Sequence, residues 1–225
     1  MHKELTSKQK FLNALAGFFT KYRVYLLVLL GLTVIAFVAV GIISEINKKR
    51  IKDSSDLLYE NEMAMEEWQA LTADDKQEKA GSLVESLNEL SKKYKGTYAA
   101  QKALFMIGEA YYTLEDYEQA VEWYHKVAED YSNGIFAPSA VFNMAAAYEQ
   151  LDNSQLAAEY YQQLVDEYPL DSVYAPHALM NVGRLNSQPE NKDAALAAYN
   201  MILEEYPSSD WTNLAITAII HLDSD

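Results

Sequence analysis

Two hydrophobic patterns of different kinds open the chain. From Val24 to Ile43 twenty residues run without a charge. As a helix rising about 1.5 Å per residue they span roughly 30 Å, the thickness of a bilayer's hydrocarbon core. A cleaved leader would have a shorter apolar stretch, about 7–15 residues. This run is followed at once by Glu45, Lys48, Lys49, Arg50 and Lys52, so it reads as a retained membrane span. Ahead of it Phe11, Leu12, Leu15, Phe18, Phe19 and Tyr22 recur at steps of one, three and four, with Lys8, Lys10, Asn13, Thr20 and Lys21 on the other side. That spacing predicts a basic amphipathic helix over 1–23, which either lies in the headgroup layer before the chain turns into the bilayer or extends the spanning helix at its N-terminal end.

Beyond the span the pattern stays helical. Leu57, Leu58, Met65, Trp68 and Leu71 mark one helix over 53–71, Thr72-Ala73-Asp74-Asp75 offers a turn with an N-cap, and Leu83, Leu87 and Leu90 mark a second helix to about Lys93. No Pro or Gly separates Ile43 from Leu57, which predicts a helical stalk leading into a half-degenerate helix pair, together 44–93.

From Tyr94 onward the chain repeats itself. Gly108, Ala145 and Gly183 form one column, Ala120, Ala157 and Ala195 a second, Tyr124, Tyr161 and Tyr199 a third. Aliphatics recur as Leu104, Val141, Leu179 and as Val127, Leu164, Ile202; Tyr131, Tyr168 and Tyr206 close the units, the last two followed by Pro169 and Pro207. Every step is 37, then 38 residues. A small residue on the first helix and an alanine on the second let the pair cross closely, and the aromatic fills the space between them. Proline stops the second helix. Each pair buries only part of its apolar surface, so neighbours must stack. Asn186 stands where Tyr111 and Tyr148 stand in the other units, and the polar stretch Ser187-Gln188-Pro189-Glu190-Asn191 predicts an early end to that helix and an irregular groove beside it. Trp211 to Leu222 matches a first helix alone, with Ala215 in register with Ala103, Ala140 and Ala178. The expected architecture is an all-α solenoid: three units over 94–208 and a capping helix with its tail over 209–225.

These columns resemble the tetratricopeptide repeat, whose small-small-aromatic signature reads here as Gly108–Tyr111–Ala120–Tyr124 and Ala145–Tyr148–Ala157–Tyr161. The resemblance implies superhelical helix pairs that hold polypeptides in a concave groove. It also implies which positions line that groove, namely the second, fifth, ninth and twelfth of each first helix. These are Lys102, Phe105, Glu109 and Tyr112; then Ser139, Phe142, Ala146 and Glu149; then His177, Met180 and Arg184, with Ser187 in the loop. The column Phe105–Phe142–Met180 is apolar and stands outside the packing columns; either a neighbouring helix covers it, or it forms a groove suited to tolerant recognition of a partner's apolar side chains. The plan of basic tail, single span and small repeat domain is similar to that of the ancillary subunit of the bacterial Sec translocon. It implies an extracytoplasmic domain with translocon and envelope chaperones as partners, and a cytoplasmic N-terminus in the inner membrane.

Charge narrows the choice of partners. Residues 1–52 carry nine Lys/Arg against Glu4 and Glu45, a net +7 that leaves −22 on residues 53–225 of a chain whose total is −15. The basic collar suits anionic lipid, and the acidic domain would repel nucleic acid. Topology does not follow from charge, because four cations flank the span on each side within twenty residues.

Nothing in the sequence calls for catalysis, a cofactor or a bound small molecule. The chain has no cysteine, hence no disulfide, thiol chemistry, Cys-based metal site or acylated-cysteine anchor. His2, His125, His177 and His221 make no i, i+3 or i, i+4 pair for a metal, and the acidic pairs fall near helix ends where they confer solubility. Phosphate loops and nucleophile elbows are missing. The sequence therefore predicts a non-enzymatic protein-binding module, either a chaperone-like accessory factor or a scaffold tethering an envelope complex.

Overall fold

The computed structural model describes residues 6–168 and 173–224, and every regular element among them is helical. The chain divides into two units, Met1–Lys52 and Asp53–Asp225.

α1 spans Ser7–Gln69, so no break separates the amphipathic stretch from the apolar run. The turn expected near residue 23 is absent. Thr20-Lys21-Tyr22-Arg23 contains neither Gly nor Pro, so nothing in it competes with continuation of the helix. Phe11, Phe18 and Phe19 are exposed, as are Leu27, Ile35 and Phe37 within the apolar run. This is the one helix among the described residues long and apolar enough to cross a membrane.

In the second unit, the helices from Ala73 onward pack on their neighbours in chain order. Leu58, Met65 and Trp68 of α1 share one buried cluster with Leu83, Leu87 and Leu90 of α2 (Ala73–Lys93), and the Trp68 Nε1–H donates to the Lys76 carbonyl at 2.9 Å. Thr72 caps α2 by accepting from the Asp75 N–H, as its position in the sequence predicts. Three hairpins follow: α3 (Tyr98–Thr113) with α4 (Tyr117–Asp130), α5 (Ala137–Gln150) with α6 (Ser154–Glu167), and α7 (Ala175–Leu185) with α8 (Lys192–Glu205). α9 (Thr212–Ser224) lies against α8 and buries Ala215. α7 stops at Leu185, and a single 3-10 turn at Pro189–Asn191 precedes α8, so the polar stretch does end that helix early. Pro169, the expected stop of α6, lies outside the described residues.

The repeat columns are the core. Ala120, Ala157, Ala195 and the aliphatic pair of every unit are buried, as are Tyr124, Tyr161 and Tyr199. The small-residue column has a steric cause. A Cβ added at Gly108 would sit 2.6 Å from Cε1 of Tyr124, and one at Gly183 would collide with the Tyr199 ring. The closing tyrosines sew units together: the Tyr131 hydroxyl accepts from the Gly96 N–H at 3.2 Å, and the Tyr168 hydroxyl donates to the Ser132 carbonyl at 2.9 Å. Within the first two hairpins the turn passes through a left-handed residue at matching positions, Glu115 (φ 61°) and Asp152 (φ 56°), each followed by a capping Asp116 or Asn153.

Candidate functional site: a ring-lined face across the first helices

α3, α5 and α7 carry the second, fifth, ninth and twelfth positions of the repeat, counted from Gln101, Pro138 and Pro176, with Ser187 just beyond the end of α7. Lys102, Phe105, Glu109 and Tyr112 are half-buried, as are Phe142, Glu149, His177 and Met180, while Arg184 is exposed. Ser139 is buried, Ala146 half-buried and Ser187 exposed.

The rings of this face are tied into the domain. Phe105 lies 5.5 Å from the core ring of Tyr124, and Phe142 meets Tyr161 edge-on at 5.2 Å. This corrects the expectation that the Phe105–Phe142–Met180 column stands outside the packing columns; Met180 too packs against the buried cluster of the later units. The physical reason is a second aromatic column, Phe136, Tyr174 and Trp211, placed just before α5, α7 and α9. Phe136 stacks on Phe105 at 5.4 Å and 26°, Tyr174 leans on Phe142 at 5.5 Å, and Trp211 stacks on His177 at 4.0 Å and 13°. Each offset or tilted ring pair contributes about 0.5–1.5 kcal/mol beyond its burial. Phe142 also contacts His177 at 4.7 Å, which assembles Tyr161, Phe142, Tyr174, His177 and Trp211 into one cluster, with Tyr98, Phe136, Phe105 and Tyr124 as another. The leading rings recur 38 and then 37 residues apart, at the register of the repeat. That spacing was available in the sequence, in Phe136-Ala137-Pro138 and Tyr174-Ala175-Pro176, where proline in the first turn marks a helix start.

Charge on this face is organised in two places. Lys102 is ion-paired with Glu62 of α1, whose hydrogen bond holds the ammonium pKa above its ordinary value. Farther along, Glu149 accepts from the Tyr161 hydroxyl at 3.0 Å and from Arg184 Nη2 at 2.5 Å, which binds the second unit to the third. Arg184 also reaches Asn181 Oδ1 at 3.3 Å. Burial first, then the Glu149 charge and hydrogen bond, push the Tyr161 phenol far above its usual range, so this tyrosine remains a donor. Tyr112 packs edge-on to Tyr117 at 5.2 Å, and its phenol is raised by burial, then by Tyr117 and Glu149. His177 is held below its ordinary value by burial, with Arg184 adding in the same direction, so it is neutral at pH 7. His125 and His221 are exposed, and His2 lies outside the described residues.

Glu109 behaves differently. Desolvation raises its carboxyl pKa, and the Lys102 charge only partly opposes that. A carboxyl raised on folding binds its proton more tightly in the folded state. Its stabilising contribution is therefore complete below the unfolded value of 4.5 and is lost as pH climbs through the folded value. Glu109→Gln is expected to raise the urea midpoint at pH 7 and to bring no gain below pH 4.5. An equal gain at both pH values would mean that packing, not charge, is responsible.

This is the face of a stacked helical-hairpin protein, built from the first helices of its units. The units are tetratricopeptide repeats. The tetratricopeptide-repeat family model matches residues 139–171 and 177–209, and a second model of the same repeat matches 101–129. No curated protein matches the chain at a significant level. Among solved structures, BtubC (BKLC) from P. vanneervenii is similar at 14% identity and a TM-score of 0.52, over 78% of this chain and 82% of that one. A kinesin light chain from Podosopora anserina, described as putative and built of nearly identical TPR-like repeats, is similar at 13% identity and a TM-score of 0.44, over 76% of this chain and 95% of that one. At 14% identity the likeness to BtubC is one of fold.

Proposed function

We propose that this chain is a single-pass, membrane-anchored protein of the bacterial cell envelope whose repeats hold segments of other polypeptides, as an accessory or chaperone-like factor near the protein translocation machinery. The observation that carries this reading is the face itself. Three successive tetratricopeptide repeats put Phe105, Phe142 and Met180 at one position, half-buried, among Lys102, Glu109, Glu149 and Arg184. Phe and Met accept apolar side chains of many shapes. The −22 charge of residues 53–225 would steer basic stretches toward that face. Val24–Ile43 serves as the anchor, and its basic flanks suit anionic headgroups. The N-terminus is assigned to the cytoplasm and the repeats to the outside of the inner membrane, on the similarity in plan to the ancillary translocon subunit.

One observation favours a different role, that of a scaffold tethering an envelope or division complex. The rings of the face are engaged with one another and with core tyrosines, which suits a fixed surface better than an adaptable one. Co-purification from mild detergent after cross-linking separates the two. A chaperone-like factor is expected to bring down translocon subunits together with a varied set of exported polypeptides. A small, fixed set of division or wall-assembly proteins would reverse the assignment. Protection of residues 53–225 from protease in intact spheroplasts would reverse the topology.

A further inference from the structure

The third unit lacks what fills the corresponding space in the second. Between α4 and the second hairpin, Tyr148 stacks on Tyr160 with centroids 5.2 Å apart and planes 2° from parallel, and both rings pack against the buried clusters on either side. One repeat later Asn186 replaces Tyr148 and Ala198 replaces Tyr160, while Leu156 gives way to Ala194 and Val121 to Ala158. Asn186, Ala158 and Ala194 border an open cavity of about 790 Å³ between α6 and the third hairpin, whose apolar wall also includes Val182 and Leu185.

Its rim is acidic. Glu159, Asp166 and Glu167 line the α6 side. Among the described residues each accepts only from an amide one turn earlier on its own helix: Gln155 to Glu159 at 3.1 Å, Gln162 to Asp166 at 2.9 Å, and Gln163 to Glu167 at 3.0 Å. Among the described residues no cation pairs with these three, and none lines the cavity. One repeat earlier the same row of α4 holds His125 and Lys126 where α6 has Gln162 and Gln163.

We propose that this cavity is a second polypeptide-binding site, which takes an aromatic side chain of a partner flanked by lysine or arginine. The repeat itself identifies the ring, since one unit earlier the position of Asn186 holds Tyr148, stacked on a second ring. The three carboxylates identify the flanks. The methylene stems of lysine or arginine cover the apolar wall while their charged heads reach the rim. The cavity shares no residue with the ring-lined face, so the inference stands apart from the proposed groove.

The test uses the full-length chain in detergent micelles and a fluorescein-labelled Lys-Lys-Tyr-Lys-Lys peptide, read by anisotropy. Replacing the tyrosine by alanine, or the lysines by glutamates, is expected to weaken binding about tenfold. Asn186→Tyr with Ala198→Tyr restores the ring pair, and is expected to abolish binding while raising the melting temperature. Because that variant could disturb the end of α7, Glu159→Lys with Asp166→Lys at the exposed rim gives an independent measure, an expected loss of about tenfold. A photoreactive benzoylphenylalanine at Phe142, which keeps a ring in the ring-lined face, is expected to give no adduct with this peptide. Equal affinity for the alanine peptide, full affinity in the rim variant, or an adduct from Phe142 would each overturn the proposal, the last by placing the peptide on the ring-lined face.

Discussion

Replacing Tyr161 with alanine is expected to destabilise the repeat domain by roughly 3–5 kcal/mol, the range for deleting a large buried aromatic. The ring is almost wholly buried between α5 and α6 and braces Phe142 edge-on. Its hydroxyl holds one oxygen of Glu149, whose other oxygen holds Arg184 of the next unit. Alanine therefore opens a cavity, loosens one wall of the ring cluster and strips a half-buried carboxylate of a donor. Tyr161→Phe isolates the last effect. A hydrogen bond to a charged group contributes about 1.5–3 kcal/mol, so the phenylalanine variant is expected to lose less than the alanine variant and mainly through the link between units. Urea unfolding of the full-length chain in mild detergent, followed by circular dichroism, measures both. A loss below about 1 kcal/mol for Tyr161→Ala would mean that this column is not the spacer between helices that its burial makes it.

Much of this arrangement is legible in the sequence because it is local and periodic. The period places Gly108 opposite Tyr124 and Gly183 opposite Tyr199, and the structure supplies the reason, a ring where a Cβ would stand. The Thr72 cap and the short α7 follow from turn chemistry in the same way. Contacts that depend on how units stack are not written in any one window. Glu149 and Arg184 each fall at a groove position, yet their pairing across 35 residues appears only when the second and third hairpins are laid together. Lys102 and Glu62, 40 residues apart, are a like case. Phe136, Tyr174 and Trp211 precede the helices, outside the periodic pattern that marks a buried face, and they are what turns the Phe105–Phe142 column inward. The missing turn near residue 23 has the opposite cause. An amphipathic pattern fixes which side of a helix is apolar but not where the helix ends.

The ring-lined face makes the other large prediction, and the packing of its rings changes how it must be tested. Phe142→Ser removes the partner of Tyr161, Tyr174 and His177 together, so it is expected to lower stability by about 2 kcal/mol, somewhat less than the loss for a fully buried phenylalanine. Loss of partner capture in that variant could then follow from a loosened domain. A photoreactive benzoylphenylalanine keeps an aromatic ring at the site and avoids the difficulty. Placed at Phe105, Phe142 or Met180 it is expected to cross-link polypeptide partners, and at exposed His125 on α4 it is expected to yield several-fold less. Arg184→Glu, at an exposed position, breaks the bond to Glu149 and leaves two acids side by side. It should weaken capture of acidic segments most and of basic segments least. Raising salt from about 0.05 to 0.5 M should shrink that difference, because exposed charges are then screened within a few ångströms. Adducts from His125 alone would move binding to the outer side of α4 and leave the ring-lined face as the seam that holds successive repeats together.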